Sequence, residues 1–376
     1  MRSDLADRLL AKVMNWDAND VSKFRPDIDI LSQMKYDEYQ QYFPGLRFTE
    51  SLASWLYKMD FEDRSKLFLF VRNRLIFISA REMNQLVSQA FPDFIRPRLY
   101  KSASEIIGCS EYSVNKLDDS LEYKAILRKS LFLGLSDGAR TDVMRRFNPF
   151  ISHEQVLPFY LIPEEKFQEL KTKLKTDLEK FLDFENKLVS DKFSNLILLD
   201  DFTASGTSYF KYDEKEDKFR GKVNKILNKL LNENNLAQLF DTEKIDILLV
   251  IYIATTKAAN IINNAITKWI EKNPNAKINI QFEPIYQLPD SINVTKEEVD
   301  LCKLLKKYYD PHIESDSYLN GKHDAPYLGF DECGLPIILN HNTPNNSIPI
   351  LWNETNPNTD EVQLVGLFPR VSRHKK

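Results

Sequence analysis

The apolar positions of this 376-residue chain fall into two regimes. From residue 1 to about 128 they recur at threes and fours, the spacing that turns one face of an α-helix toward a core. Ser79-Ala-Arg-Glu82 stands ahead of Met83, Leu86 and Val87 and reads as a capping box, since Ser79 can accept from a first-turn amide while Glu82 reaches back. A helix is predicted to start there. The run 67–78 (LFLFVRNRLIFI) carries Arg72 and Arg74 inside it, which predicts a helix packed on one side rather than a membrane segment.

From Ser130 onward the pattern changes to short, nearly continuous apolar runs: 130–135 (SLFLGL), 156–162 (VLPFYLI), 196–199 (LILL), 245–254 (IDILLVIYIA) and 278–288 (INIQFEPIYQL). Such runs suit parallel strands buried on both faces, and the helical patterns between them supply the crossovers. The helices are expected at 163–190, 223–239 and 255–272, with a charged loop at 212–222. One more helix, 295–309, leads into a stretch rich in Asn, Pro and Gly that ends near Leu351 and is expected to cover one end of the sheet. The expected fold class is therefore α/β, a parallel sheet flanked by helices. It divides into a mainly helical N-terminal region (1–128), an α/β core (129–290) and a C-terminal helix with an irregular, hood-like segment (291–376).

Composition narrows the function classes. Lys and Arg total 51 against 55 Asp and Glu with the signs interspersed, so no overall basic field points to nucleic acid or a membrane surface. The tail 370–376 is locally basic and could touch a phosphate backbone, with a solvated terminus the preferred reading. The N-terminus lacks the apolar core of a signal peptide and no segment stays apolar long enough to span a bilayer, so a cytoplasmic protein without membrane contact is expected. Cys109, Cys302 and Cys333 are far apart, which fits a reducing compartment. His153, His312, His323, His341 and His374 include no pair at metal-ligand spacing.

The third apolar run ends in Asp200-Asp201 and turns through Phe202, Thr203, Ala204, Ser205, Gly206, Thr207 and Ser208. Ligands of open parallel sheets bind outside the carboxyl ends of strands, where this segment falls. Two carboxylates can accept from adjacent ribose hydroxyls or hold Mg²⁺ through water, and a hydroxyl-rich glycine loop can surround a phosphate with amides at a helix N-terminus. After the first run comes a second loop, Ser136, Asp137, Gly138, Ala139 and Arg140, offering a hydroxyl, glycine backbone and a guanidinium to an anion. A structural reading of both segments as ordinary helix caps stands beside the ligand-binding one. Late in the chain, 341–352 (HNTPNNSIPILW) could form a polar and aromatic wall in which Asn345, Asn346 and Trp352 touch a base, or a turn with a half-buried Trp.

The segment LILLDDFTASGTS resembles the signature of the type I phosphoribosyltransferases: an apolar strand, two acidic residues, two variable positions, then a small residue or Asp followed by Thr-Gly-Gly-Thr or a close variant. Asp200 and Asp201 match the acidic pair, Ala204 the small position, Ser205 the Thr, Gly206 the Gly and Ser208 the final Thr. Thr207 departs from the usual Gly or Lys, and its β-branched side chain sits poorly at positive φ. Ala204 also replaces the Asp that assists proton transfer at the base in the hypoxanthine-guanine enzymes.

The resemblance implies a phosphoribosyltransferase-like sheet that binds phosphoribosyl pyrophosphate or a nucleotide with Mg²⁺. It gives Asp200, Asp201 and Arg140 catalytic roles and the two loops the phosphate groups. SDGAR, DDFTASGTS, HNTPNNSIPILW and the terminal LFPR together resemble a narrower group, the phosphoribosyltransferase-like proteins of bacterial conflict systems, over most of residues 65–370. That group implies an effector of anti-phage defence, in some cases of a retron, beside a reverse transcriptase with its structured RNA and a winged-helix protein. A non-catalytic, nucleotide-sensing module is the alternative.

Overall fold

The computed structural model describes residues 3–158, 162–183, 186–231, 236–241, 244–311, 324–353 and 366–371. They form two compact units, one of Met83–Pro289 and one of Met1–Glu82 with Asp290–Lys376.

The unit Met83–Pro289 is built on five parallel strands, β1 (Ser130–Gly134), β2 (Val156–Leu157), β3 (Asn195–Thr203), β4 (Ile245–Thr255) and β5 (Ile278–Leu288), in the order β2-β1-β3-β4-β5. The register is continuous: Leu131 pairs with Leu196 and Leu196 with Ile247, and Ile245 pairs with Ile278. Successive side chains of a strand face opposite ways. Leu196, Leu198, Ile247 and Leu249 join one large core with the apolar stripes of helices Glu165–Glu179, Lys222–Leu231 and Thr256–Lys272. Ile197 and Leu248, on alternate positions, border the same cavity as Ile95 and Leu99 from the helical segment before β1. With both faces covered, the strands need no polar alternation, which is why they read as unbroken apolar runs.

Several expectations are revised. The run 67–78 is not one helix: helix Phe61–Arg74 ends at extended Leu75 (φ −64, ψ 127), and Ile76–Ile78 is a strand paired in parallel with Ile337–Leu339. β-branched Ile76 and Ile78 find a ladder partner far along the chain, and that outweighs local helical periodicity. The second apolar run contributes only Val156–Leu157 as strand, since Pro158 has no amide to donate and residues 159–161 lie outside the described set. The segment expected to be a charged loop contains an antiparallel hairpin, Lys211–Asp213 with Lys218–Arg220, turned at Asp217 in a left-handed conformation (φ 53). The expected helices at 163–190, 223–239 and 295–309 are shorter, at Glu165–Glu179, Lys222–Leu231 and Val299–Lys307. Residues 372–376 of the basic tail lie outside the described set.

The other unit joins both ends of the chain. Helices Ser3–Met14, Ala18–Met34, Phe48–Tyr57 and Phe61–Arg74 share a core with Ile338, Ile350 and Phe368. Phe368 of the LFPR motif is fully buried and packs against the rings of Tyr36, Tyr39, Tyr42, Phe48 and Phe77. Tyr39 Oη donates to the Pro369 carbonyl at 2.6 Å, fixing the motif in place. The capping box is formed as expected, with the Glu82 amide donating to Ser79 Oγ at 3.1 Å and the Ser79 amide to Glu82 Oε2 at 2.8 Å. No helix among the described residues is long and apolar enough to cross a membrane.

Candidate functional site

The strand order β2-β1-β3-β4-β5 reverses direction between β1 and β3. Sheets wound in this order bind ligands at that switch point, outside the carboxyl ends of the two strands. Ser136–Arg140 follows β1 and Asp200–Ser208 closes β3, so the sheet brings both sequence-predicted loops to this one place. The Leu135 amide donates to the Leu199 carbonyl at 2.9 Å and carries the pairing to the loops themselves.

The two aspartates have different surroundings because neighbouring strand positions face opposite sides. Asp200 is fully buried. Its Oδ1 accepts from Ser136 Oγ and its Oδ2 from Tyr209 Oη at 2.7 Å and from Lys222 Nζ at 2.8 Å. Burial, and then the adjacent Asp201 carboxylate, push the Asp200 pKa above the ordinary carboxylate range, while Lys222 and Ser136 pull against that shift. Asp200 thus ties the first loop to the helix that follows the hairpin, and both its oxygens are committed inside the protein. Asp201 lies against the SDGAR loop: a Cβ built on Gly138 would fall 2.2 Å from Asp201 Oδ2, so glycine is what lets the loop approach the carboxylate.

The second loop bends sharply after Thr203. Gly206 takes a left-handed conformation (φ 72) and passes so close to the helix Thr256–Lys272 that a Cβ there would lie 2.9 Å from the Ala258 carbonyl oxygen. Glycine therefore supplies the positive φ one residue before Thr207, which is not among the positive-φ residues. The loop is fastened from inside. The Gly206 amide donates to Thr203 Oγ1 at 3.2 Å, Ser205 Oγ and Thr207 Oγ1 are 2.8 Å apart, and Thr255 Oγ1 donates to the Ala204 carbonyl at 2.5 Å. Ala204 and Ser205 are buried, Thr207 is half-buried and Ser208 exposed, so the loop meets solvent at its far end. The expected helix N-terminus does not follow directly: a turn at 207–209 and the hairpin intervene, and the next helix starts at Lys222.

In the SDGAR loop, Ser136 Oγ accepts from the Gly138 amide at 3.2 Å, and Asp137–Ala139 form one short turn. Ala139 presents its carbonyl to Tyr252 Oη, which donates at 2.6 Å from β4. Arg140 is held in the left-handed region (φ 47, ψ 45), an uncommon place for a residue other than glycine, and its Nη1 donates to Asn84 Oδ1 at 3.2 Å. Helix Thr141–Phe147 begins immediately after it.

Trp352 belongs to the other unit. It is buried in that unit's core, its Nε1 donates to the Ser347 carbonyl at 2.8 Å, and the Arg370 guanidinium lies 5.4 Å from its ring centre. Asn346 Nδ2 donates to the Phe330 carbonyl at 3.1 Å, and Asn345 accepts from the Phe330 amide at 2.9 Å. Three participants escaped the sequence reading: Tyr209, Lys222 and Tyr252. Tyr252 left a trace, since a tyrosine inside a central apolar strand requires a partner for its hydroxyl. Lys222 left none, because a hairpin separates it in sequence from Asp200.

A five-stranded parallel sheet in this order, with an acidic strand end and a hydroxyl-rich glycine loop at its switch point, defines a phosphoribosyltransferase-like α/β protein. The PRTase-CE family model matches residues 52–370, and the chain belongs to that family. No curated protein and no solved structure matches the chain.

Proposed function

We propose that the switch point of the unit Met83–Pro289 binds phosphoribosyl pyrophosphate or a nucleotide presenting the same ribose phosphate. The observation that carries this reading is the meeting of the two loops, Ser136 hydrogen-bonded to Asp200 and Gly138 seated against Asp201. In this assignment Thr203 to Ser208 receive the 5′-phosphate, Asp201 accepts from the ribose hydroxyls, and Ser136 to Arg140 hold the pyrophosphate, with the Arg140 guanidinium neutralising it. Displacement at the anomeric carbon builds oxocarbenium character. The chain's contribution is to position the sugar and to stabilise the departing charge with donors already in place.

Mg²⁺ belongs to this proposal in a limited form. Asp201 rather than Asp200 is assigned to the ion here, because the Asp200 oxygens already serve Ser136, Tyr209 and Lys222. Among the described residues no cluster of three or more His, Cys, Asp or Glu suits a metal ion. Asp201 with ligand phosphate oxygens and water is the donor set that fits, and Mg²⁺ is commonly held by one carboxylate plus substrate phosphates. The ion would supply charge neutralisation on the pyrophosphate.

The same geometry favours a second reading, a module that senses a nucleotide without turning it over. Asp200 is spent internally, and buried Ala204 offers no acid or base near the ligand. On the narrower sequence resemblance, either activity would serve as the effector of an anti-phage defence system with reverse transcriptase, RNA and winged-helix partners. Calorimetry with phosphoribosyl pyrophosphate and Mg²⁺ is expected to give saturable binding that Asp201→Asn weakens by roughly tenfold or more. Equal binding by both proteins would refute the site. Pyrophosphate release in the presence of bases or nucleotides then separates enzyme from sensor.

A further inference from the structure

A second cavity of the unit Met83–Pro289 lies at the opposite end of the sheet. It measures about 530 Å³, within the range of small-molecule sites, and is bordered by the helix Leu121–Arg128 and the segment leading into β2. Gln155 on its wall donates through Nε2 to the carbonyls of Leu127 and Ser130, each at 2.7 Å. Those contacts fix the cavity near the amino ends of β1 and β2, away from the loops at their carboxyl ends.

The lining is cationic and aromatic. Arg96, Lys124 and Arg128 face it with one carboxylate, Asp118, which already accepts from Tyr100 Oη. Lys124 Nζ reaches only the Asp119 carbonyl, at 3.3 Å, and Arg96 lies over the Tyr100 ring at 5.8 Å; neither has a carboxylate partner among the described residues. The Arg128 side chain is 8% exposed. Its Nε donates to Asp177 Oδ2 at 3.0 Å, and its buried Nη1 has no hydrogen-bond partner among the described residues. Phe150, which is exposed, and half-buried Phe181 add aromatic walls beside these donors.

We propose that this cavity is a second ligand site, independent of the switch-point reading, that binds a nucleoside phosphate. Guanidinium and ammonium donors take the phosphate oxygens in the manner arginine clusters do, and the base packs on an aromatic face. AMP is the probe, titrated into full-length protein carrying Asp201→Asn, which weakens the switch-point site, so that the dependence on cavity substitutions reads the second site. The expected result is saturable binding, weakened about tenfold or more by Arg96→Gln with Lys124→Gln and separately by Phe150→Ala, with thermal midpoints unchanged. Adenosine and ribose 5-phosphate, each lacking half of the recognised chemistry, are expected to bind more weakly than AMP. Absence of saturable AMP binding overturns the proposal, as does binding that the Arg96 and Lys124 substitutions leave intact. Ribose 5-phosphate binding as tightly as AMP overturns the role given to the base.

Discussion

Asp200 and Asp201 are adjacent in sequence and stand in different environments, and Lys222 is the residue that separates them. A carboxylate buried completely with its ammonium partner three-quarters buried is costly to orphan, more so than an exposed pair. Lys222→Met is therefore expected to destabilise the unit Met83–Pro289 by about 3 kcal/mol in urea denaturation, while Lys222→Arg retains most of the stability. A loss below about 0.5 kcal/mol would mean that the ion pair holds nothing together. The acidic pair was legible in the sequence as a pair at a strand end. Its division was only half legible: strand alternation separates the two carboxylates, but nothing in the chain announces that Tyr209 and Lys222 return to Asp200. Thr207 taught the converse. The sequence pattern placed the conformational burden there, and the backbone moves it one residue back to Gly206.

At the scale of elements, buried parallel strands were the clearest signal, because residues covered on both faces leave an apolar run that no amphipathic helix produces. The short pair Ile76–Ile78 with Ile337–Leu339 was hidden because each strand is three residues long and its partner lies far away in sequence. The hairpin at 211–220 was hidden by its charge, since its strand positions are exposed or half-buried. One cap links an element to the site. Thr255 Oγ1 accepts from the Ala258 amide at 3.0 Å to start the helix Thr256–Lys272, and donates to Ala204 in the glycine loop. Thr255→Val keeps the shape and removes both bonds. It is expected to cost about 1–2 kcal/mol in stability and to raise the protease sensitivity of the loop. Unchanged proteolysis around Ala204 would show that the loop is held by other contacts.

At the scale of the whole molecule, the α/β class with a parallel sheet followed from the order of apolar runs. Pairing between distant segments could not, because no local pattern records that the LFPR motif packs among rings from residues 36–77. The unit containing both chain ends also carries an acid-sensitive clamp. Lys307 Nζ donates to Asp63 Oδ2 at 2.6 Å and Tyr308 Oη to the same oxygen at 2.8 Å. The hydrogen bond from Lys307 lowers the Asp63 pKa despite the opposing effect of burial. A carboxylate with a lowered folded-state pKa stabilises the fold above its unfolded value of about 3.9, and that contribution disappears as pH falls through the lower folded value. Stability measured from pH 6 down to about pH 2 is expected to fall less steeply in Asp63→Asn than in the natural chain. Parallel curves would remove Asp63 from the acid response.

The two loops meet at the β1/β3 switch point, and a crystal structure with phosphoribosyl pyrophosphate and Mg²⁺ would show whether they close on that ligand. The 5′-phosphate is expected on Thr203–Ser208, a ribose hydroxyl within hydrogen-bonding distance of Asp201, and the pyrophosphate on Ser136–Arg140, with Asp200 still bound to Lys222. Ligand seated elsewhere in the molecule, or a switch point that stays empty at saturating ligand, would contradict this placement.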